Sequence, residues 1–337
     1  MKKITIVILN WNGVHHLKNY LPRVIANTPA DICDIVVADN GSTDSSCELI
    51  RNEFPQIILW EFDKNYGFAG GYNKAIELVK TDYAILLNSD AAPEKGWIQP
   101  LLSLAEGNPR IAAIMPKIRS DRNPESFEYA GAAGGFIDKL GYPFCQGRIM
   151  NTVEKDNKQY NTPRRVFWAT GAAMFVRTSA YRDAGGLDED FFAHMEEIDL
   201  CWRMQLLDYE IWVEPAAIVY HLGGGTLSED SPNKALLNHR NNLAMLYKNL
   251  DKSNLFPILA IRMILDGVSG VMYLAQGRKQ HFQSVIKAHN QFRAAKHSLK
   301  IKRQNIQNRR KSVPYGIYNG SIILRYMFGR KFFPNNL

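Results

Sequence analysis

Carboxylates almost vanish from the last third of this 337-residue chain. From Asn238 to Leu337 only Asp251 and Asp266 stand against 18 lysines and arginines, a formal charge of +16, while residues 1–237 carry −8. Such a split implies two regions with different partners. The basic region suits phosphate, on lipid head groups, lipid diphosphates or nucleic acid. Cysteine is scarce too. Cys33, Cys47, Cys145 and Cys201 show no C-x-x-C pair and no zinc spacing. Isolated buried thiols in a reducing cytosol are expected. The first apolar run, Ile4–Leu9, is too short for a signal-peptide core and meets turn residues at once, so secretion is not expected. Also missing are a G-x-x-x-x-G-K loop, a G-x-G-x-x-G turn after the first strand, a G-x-S-x-G elbow and any internal repeat.

What is present is alternation. Ile4–Leu9, Asp34–Ala38, Ile57–Glu61 and Tyr83–Leu87 read as strands. Between them, helical spacing runs over about 15–27, through about Phe54, and up to Lys80. This β-α-β-α-β-α-β order predicts an α/β fold with a mainly parallel central sheet and helices on both faces. Each strand ends in a polar turn, and those turns gather at one sheet edge, where open α/β sheets bind ligands. Trp97–Glu106 reads as a helix and Ile111–Pro116 as a strand. From 120 to 163 glycines break the pattern into loops and short hairpins. Ala172–Val176 is a strand and Met195–Leu207 a helix. Ile211–Val213 and Ala217–Tyr220 are two short strands, followed by His221 and a glycine run. The expected organisation is a catalytic domain over 1–237, with halves at about 1–116 and 117–237, and a basic helical region over 238–337.

In that basic region, Leu255–Ala275 is long and apolar enough to raise a transmembrane helix. Arg262 and Asp266 inside it, Pro257 at its start, and Gly267 and Gly270 argue against spanning. Arg262, Asp266, Ser269 and Tyr273 share one face, so an amphipathic helix on a membrane surface or on the catalytic domain is expected. A further helix is expected through about Leu299. The segment 321–333 mixes apolar and basic residues as an interfacial segment would; an ordinary helical subdomain with charges in water fits equally.

Asp39, Asp90, Glu196, Glu197 and Asp199 are the candidate chemical groups. Asp90 follows a buried strand, and Asn88 two residues earlier adds an oxygen for a hard cation, although Asn-Ser-Asp is also turn chemistry. Glu196 and Asp199 are i,i+3 neighbours on one helix while Glu197 projects elsewhere, so their tasks differ. Arg203, four beyond Asp199, is a natural ion partner. Acids at a helix start also suit its dipole.

Five ordered segments resemble family 2 glycosyltransferases of the GT-A fold: residues 7–13 around Asn10 and Asn12, 38–44 around Asp39, 65–73 from Asn65 to Asn73, 87–90, and 191–200. The resemblance covers about residues 3–250 and is nearest to bacterial rhamnosyltransferase-like enzymes of cell-surface polysaccharide assembly. It implies a nucleotide-diphosphate sugar donor (UDP- or dTDP-linked) and a glycan or polyprenyl-diphosphate-linked acceptor. Asn10, Asn12, Asp39, Asn65, Gly67, Gly71, Asn73, Asn88, Asp90 and Arg240 would serve the donor. Asn88-Ser89-Asp90 stands where the family carries Asp-x-Asp, so Asp90 would be the main carboxylate on Mn2+ or Mg2+, with His221 as a second ligand. Glu197, second of an acidic pair with Glu196, would be the base of an inverting displacement; Glu196 stays an alternative. The lack of a signal-type core and the amphipathic, basic C-terminal region lead to the expectation of a cytoplasmic protein, with peripheral contact on the cytoplasmic face of the inner membrane as the reading for that region. A non-catalytic nucleotide-sugar or glycan-binding protein on the same fold is the second reading. Nucleic acid is not expected as a partner, since the basic tail carries no reading motif.

Overall fold

A computed structural model describes residues 2–223, 231–334 and 337. β1 (Ile4–Asn10), α1 (Val14–Asn27), β2 (Cys33–Asp39), α2 (Ser46–Glu53), β3 (Ile58–Glu61), α3 (Gly67–Leu78) and β4 (Tyr83–Asn88) alternate as the periodicity predicts. They build a parallel half-sheet, with Ile4 of β1 opposite Cys33 of β2 and Tyr83 of β4. β1 and β4 are covered on both faces, hence their continuous apolar runs rather than a two-residue alternation.

The chain continues with β5 (Ala91–Pro93), α4 (Ile98–Gly107), β6 (Ile111–Ser120), β7 (Gly135–Asp138), β8 (Pro143–Cys145), β9 (Arg148–Ile149), β10 (Thr152–Val153), β11 (Arg164–Arg165), β12 (Ala173–Arg177), α5 (Thr178–Asp183), α6 (Glu196–Leu206) and β13 (Glu210–His221). β12 runs antiparallel between β4 and β6. The sheet is therefore mixed, ordered β11-β13-β6-β12-β4-β1-β2-β3, with β5 on β13. The glycine-rich stretch 120–163 becomes a small second sheet, β10-β9-β8-β7, completed by β14 (Ile317–Tyr318) from the far end of the chain.

α7 (Pro232–Asn249), α8 (Lys252–Ala275), α9 (Lys279–Ala294), α10 (Lys296–Asn308) and α11 (Ile322–Met327) make up the basic region. Their buried residues Leu243, Leu246, Phe292, Leu299, Ile322 and Phe333 belong to the same continuous core as β1 and β4.

Three local outcomes differ from the pattern reading. The two short strands after residue 210 are one strand, β13, whose register slips between Glu214 and Ile218. Pro215 lies in that slip, where no ladder donor is needed. Pro257 does not break α8. Asp251 caps the helix by accepting from the Ser253 and Asn254 amides, so Pro257 falls in its second turn. The helix expected through Leu299 is two, α9 and α10, joined at Ala295.

Candidate active site

Asp90 and His221 lie 131 residues apart in sequence and meet because β5 pairs with the end of β13. Ala91 is opposite His221, and the Leu222 amide donates to the Asp90 carbonyl. His221 Nε2 sits 3.2 Å from Asp90 Oδ1 and 3.3 Å from Asn88 Nδ2. On the other side of the ring, Glu128 Oε2 is 3.4 Å from His221 Nδ1, which makes no hydrogen bond. Burial opposes charge on this imidazole, but the hydrogen bond of Asp90 and the negative charges of Asp90 and Glu128 outweigh it and hold the pKa up at about 10. Burial would raise Asp90 as well; the hydrogen bond and charge of His221 reverse that and keep it below the ordinary carboxylate range.

A second group forms at the ends of β1 and β2. Asn10 Nδ2 donates to Asp39 Oδ1 at 2.9 Å, and the Ser42 amide donates to Asp39 Oδ2 at 2.8 Å. The Thr43 amide donates to Asn12 Oδ1, and the Asn12 amide to Ser42 Oγ. Asp44 serves two helix starts: its two oxygens accept from the Ser46 amide of α2 and the Val14 amide of α1. Asn40 stitches this loop to the next, donating to Asn65 Oδ1 and to the Gly67 carbonyl. A Cβ on Gly71 would meet Leu9 at 2.8 Å, and one on Gly67, at φ +73°, would meet Phe192 at 2.8 Å. These glycines let α3 press against β1 and against the loop before α6.

That loop is strained. Phe192, His194 and Met195 all hold positive φ, of 63°, 69° and 73°. Asn241 of α7 donates to the carbonyls of Phe191, Ala193 and His194, and Arg240 donates to those of Asp190 and Phe191. The two helix-start acids then part. Glu196 is only 4% exposed. Burial first, and the charge of Glu197 second, push its carboxyl well above the usual range. Glu197 is half-buried, and burial lifts it to about 7. It lies across Gly171 from the end of β4: a Cβ on Gly171 would be 3.9 Å from Glu197 Cβ, and the Ala172 carbonyl accepts from the Asn88 amide. Asp199 takes the structural role, accepting from Arg203 Nε at 2.8 Å, Lys248 Nζ at 3.0 Å and Asn249 Nδ2 at 2.7 Å.

The structure thus gathers Asn88, Asp90, His221 and Glu197 near the end of β4, and Asn10, Asn12, Asp39 and Asn65 along the neighbouring strand ends. Two expected donor contacts fall elsewhere. Asn73 commits its amide to Tyr181, Leu187 and Glu189, tying α3 to the 185–189 turn. Arg240 engages carbonyls, Asn241 and Gln291 rather than an open cleft. The glycine run expected after His221 lies mostly within 224–230, outside the described residues. Sequence reading missed Glu128 and Asn241. Only the Asn241-Asn242 amide pair in a basic helix hinted at the latter.

Among the described residues no group of three or more metal-ligating side chains gathers. Asp90 and His221 do bring one carboxylate and one imidazole together, with the far ring nitrogen facing the Glu128 carboxylate, and these donor types are compatible with a divalent ion.

Solved structures share this architecture. GalNAc-T7, determined with UDP, GalNAc and Mn2+, superposes with a TM-score of 0.59 at 17% identity, covering 75% of this chain and 49% of that one. The first 349 residues of Staphylococcus aureus TarS superpose at 0.54 and 14% identity, covering 97% and 92%. A parallel half-sheet joined through an antiparallel strand to a second half is the GT-A glycosyltransferase fold, and this chain has it. The chain belongs to glycosyl transferase family 2, whose model matches residues 5–183. It is rhamnosyltransferase-like: an N-acetylglucosaminyl-diphospho-decaprenol L-rhamnosyltransferase of Mycobacterium tuberculosis is 26% identical over 261 residues, covering 72% of this chain and 83% of that protein. The low-salt glycan biosynthesis hexosyltransferase Agl10 of Haloferax volcanii is 23% identical over 205 residues, covering 59% and 61%.

Proposed function

We propose that this glycosyltransferase moves a sugar, rhamnose in the first instance, from a UDP- or dTDP-linked donor to a glycan or lipid-linked glycan acceptor, with inversion, in cell-surface polysaccharide synthesis. The observation that carries the reading is a carboxylate of raised pKa, Glu197, across Gly171 from the strand end that bears Asp90 and its partner His221.

In this reading Asn10, Asn12, Asp39 and Asn65 line the donor's nucleoside side, with the exposed Trp11 ring available to a planar base. Asp90 and His221 would hold Mn2+ or Mg2+, which when bound supplies positive charge to the leaving diphosphate. Glu197 accepts the proton of the acceptor hydroxyl as that oxygen attacks the anomeric carbon. One displacement inverts the centre, and no second catalytic carboxylate is required. Glu196 is buried beside it, its carboxyl held above the usual range by burial and by the charge of Glu197. The unpaired cysteines support a reducing, cytoplasmic location.

The test is a donor screen by nucleotide release, followed by mass analysis of acceptor products with and without Mn2+ or Mg2+. Asp90→Ala and Glu197→Gln are expected to lower transfer by about 10²–10⁴-fold. Full transfer by both variants on a confirmed acceptor would refute the assignment.

A further inference from the structure

α8 turns an unbroken apolar face to solvent. Phe256, Ile261, Ile264, Val268, Val271 and Met272 are exposed, Ile264 by 67% and Phe256 by 81%. No charged residue shares that face between Ser253 and Gln276. The two charges on this stretch point the other way. Arg262 stacks on Tyr142 at 3.7 Å, and Asp266 accepts from His239 of α7 and His289 of α9. By length and composition α8 is able to cross a bilayer, but those buried contacts hold it lengthwise on α7 and α9.

α11 packs on the same turn as α8. Tyr142, under Arg262, donates its amide to Asp138, and the other oxygen of Asp138 accepts from the first amide of α11, that of Ile322. α8 and α11 therefore flank one turn. From α11 onward Leu324, Met327, Phe328 and Phe332 are exposed. Basic residues neighbour these faces along the chain: Lys139 on the turn, Arg330 and Lys331 beyond α11, Lys252 at the start of α8 and Lys279 at the start of α9. Exposed apolar faces of this length, accompanied by charge of one sign, mark an interaction site.

We propose that α8 and α11 form a docking surface for an anionic lipid bilayer. α8 lies in the interfacial plane, its apolar face among the acyl chains and the lysines and arginines at the level of the lipid phosphates. Charge selects this occupant over a second copy of the chain, which would bring two +16 regions together. The geometry also links the bilayer to the cleft. His239 of α7 pairs with Asp266 of α8, and the next two residues, Arg240 and Asn241, hold the loop that precedes Glu197.

Flotation of the full chain with vesicles tests the surface without donor or metal. The chain is expected to float with phosphatidylcholine–phosphatidylglycerol vesicles, and bound protein to fall by about tenfold with phosphatidylcholine alone or at high salt. A paired Ile264→Glu, Val268→Glu variant should stay at the bottom, with its fold checked by circular dichroism. Should it misfold, Met327→Ser with Phe328→Ser on the terminal helix makes the same test. A wild-type chain that does not float, or folded variants that float like it, overturns the proposal. So does a wild-type dimer that these substitutions split in light scattering without altering vesicle binding. Asp90→Ala should float as wild type does, so failure of the docking surface and failure of the proposed chemistry read out separately.

Discussion

At neutral pH the Glu197 carboxyl is half-buried with one oxygen, Oε2, lacking a hydrogen-bond partner, and its pKa stands at about 7. A base tuned there is close to ideal for taking a hydroxyl proton. The rate should fall about tenfold per pH unit below about 7 as the base protonates; a profile flat down to pH 5 would remove Glu197 from that role. The same shift has a sign for stability. Between its unfolded value of 4.5 and about 7 the folded state binds more protons than the unfolded one, so the fold loses stability as pH rises through that window. Glu197→Gln removes this cost, roughly 1–3 kcal/mol after discounting for partial exposure. The variant is expected to melt about 2–4 °C above wild type at pH 8 and to lose most of that advantage at pH 4.5. Equal melting temperatures at pH 8 would mean the carboxyl is not strained by burial. Asp199, two residues on, is a structural group: Lys248, Arg203 and Asn249 satisfy it, and its alanine variant should destabilise the chain.

The loop between the 3-10 turn Glu189–Phe191 and α6 is held by a helix from the other end of the chain. Non-glycine residues at positive φ cost on the order of 1–3 kcal/mol each, and Asn241 offsets this by donating to three loop carbonyls. Asn241→Leu keeps the volume and removes the donor. It should lower kcat by about 10–100-fold with the donor KM little changed. Loss confined to KM would instead make Asn241 a binding group. The elements carrying this site were legible to different degrees. β1 to β4 announce themselves by apolar runs ending in polar turns, so Asp39 and Asp90 were placed at the right strand ends from local pattern alone. Asn73 and Arg240 were read toward the donor because their neighbours are. Only the three-dimensional packing shows one amide filled by Tyr181 and Leu187 and one guanidinium turned onto carbonyls. The Ala91–His221 pairing that brings Asp90 to His221 follows a register slip around Pro215 in β13, and no local periodicity encodes a register slip.

On the scale of the whole molecule, the charge split between 1–237 and 238–337 does not coincide with a break in packing. Leu243, Leu246, Phe292 and Phe333 are buried in the same core as the central sheet, and β14 completes the sheet begun by β7. Lys248 of α7 is buried between Asp188 and Asp199, while Lys302 of α10 reaches Asp188 and Asp190 at 2.5 and 2.6 Å. Charge pulls Asp188 the same way: burial would raise it, but Lys248 and Lys302 outweigh burial and hold it far below the usual range. Cutting the chain at 237 would take both lysines from the buried Asp188 and leave Asp199 with Arg203 alone, the first loss costing about 3–5 kcal/mol, and would strip the apolar cover from the sheet. A 1–237 fragment is therefore expected to be insoluble or to bind hydrophobic dyes as a loosened state, although it contains Asp90, Glu197 and His221. The intact chain should unfold in one calorimetric transition, with an enthalpy on the order of 230 kcal/mol near 60 °C. Two separated transitions, or a soluble 1–237 fragment with native near-ultraviolet dichroism, would instead make the basic helices a detachable unit. The bilayer surface would then sit on an appendage and could not set the position of the catalytic loop, which is why calorimetry of the full chain bears on the docking geometry as directly as flotation does.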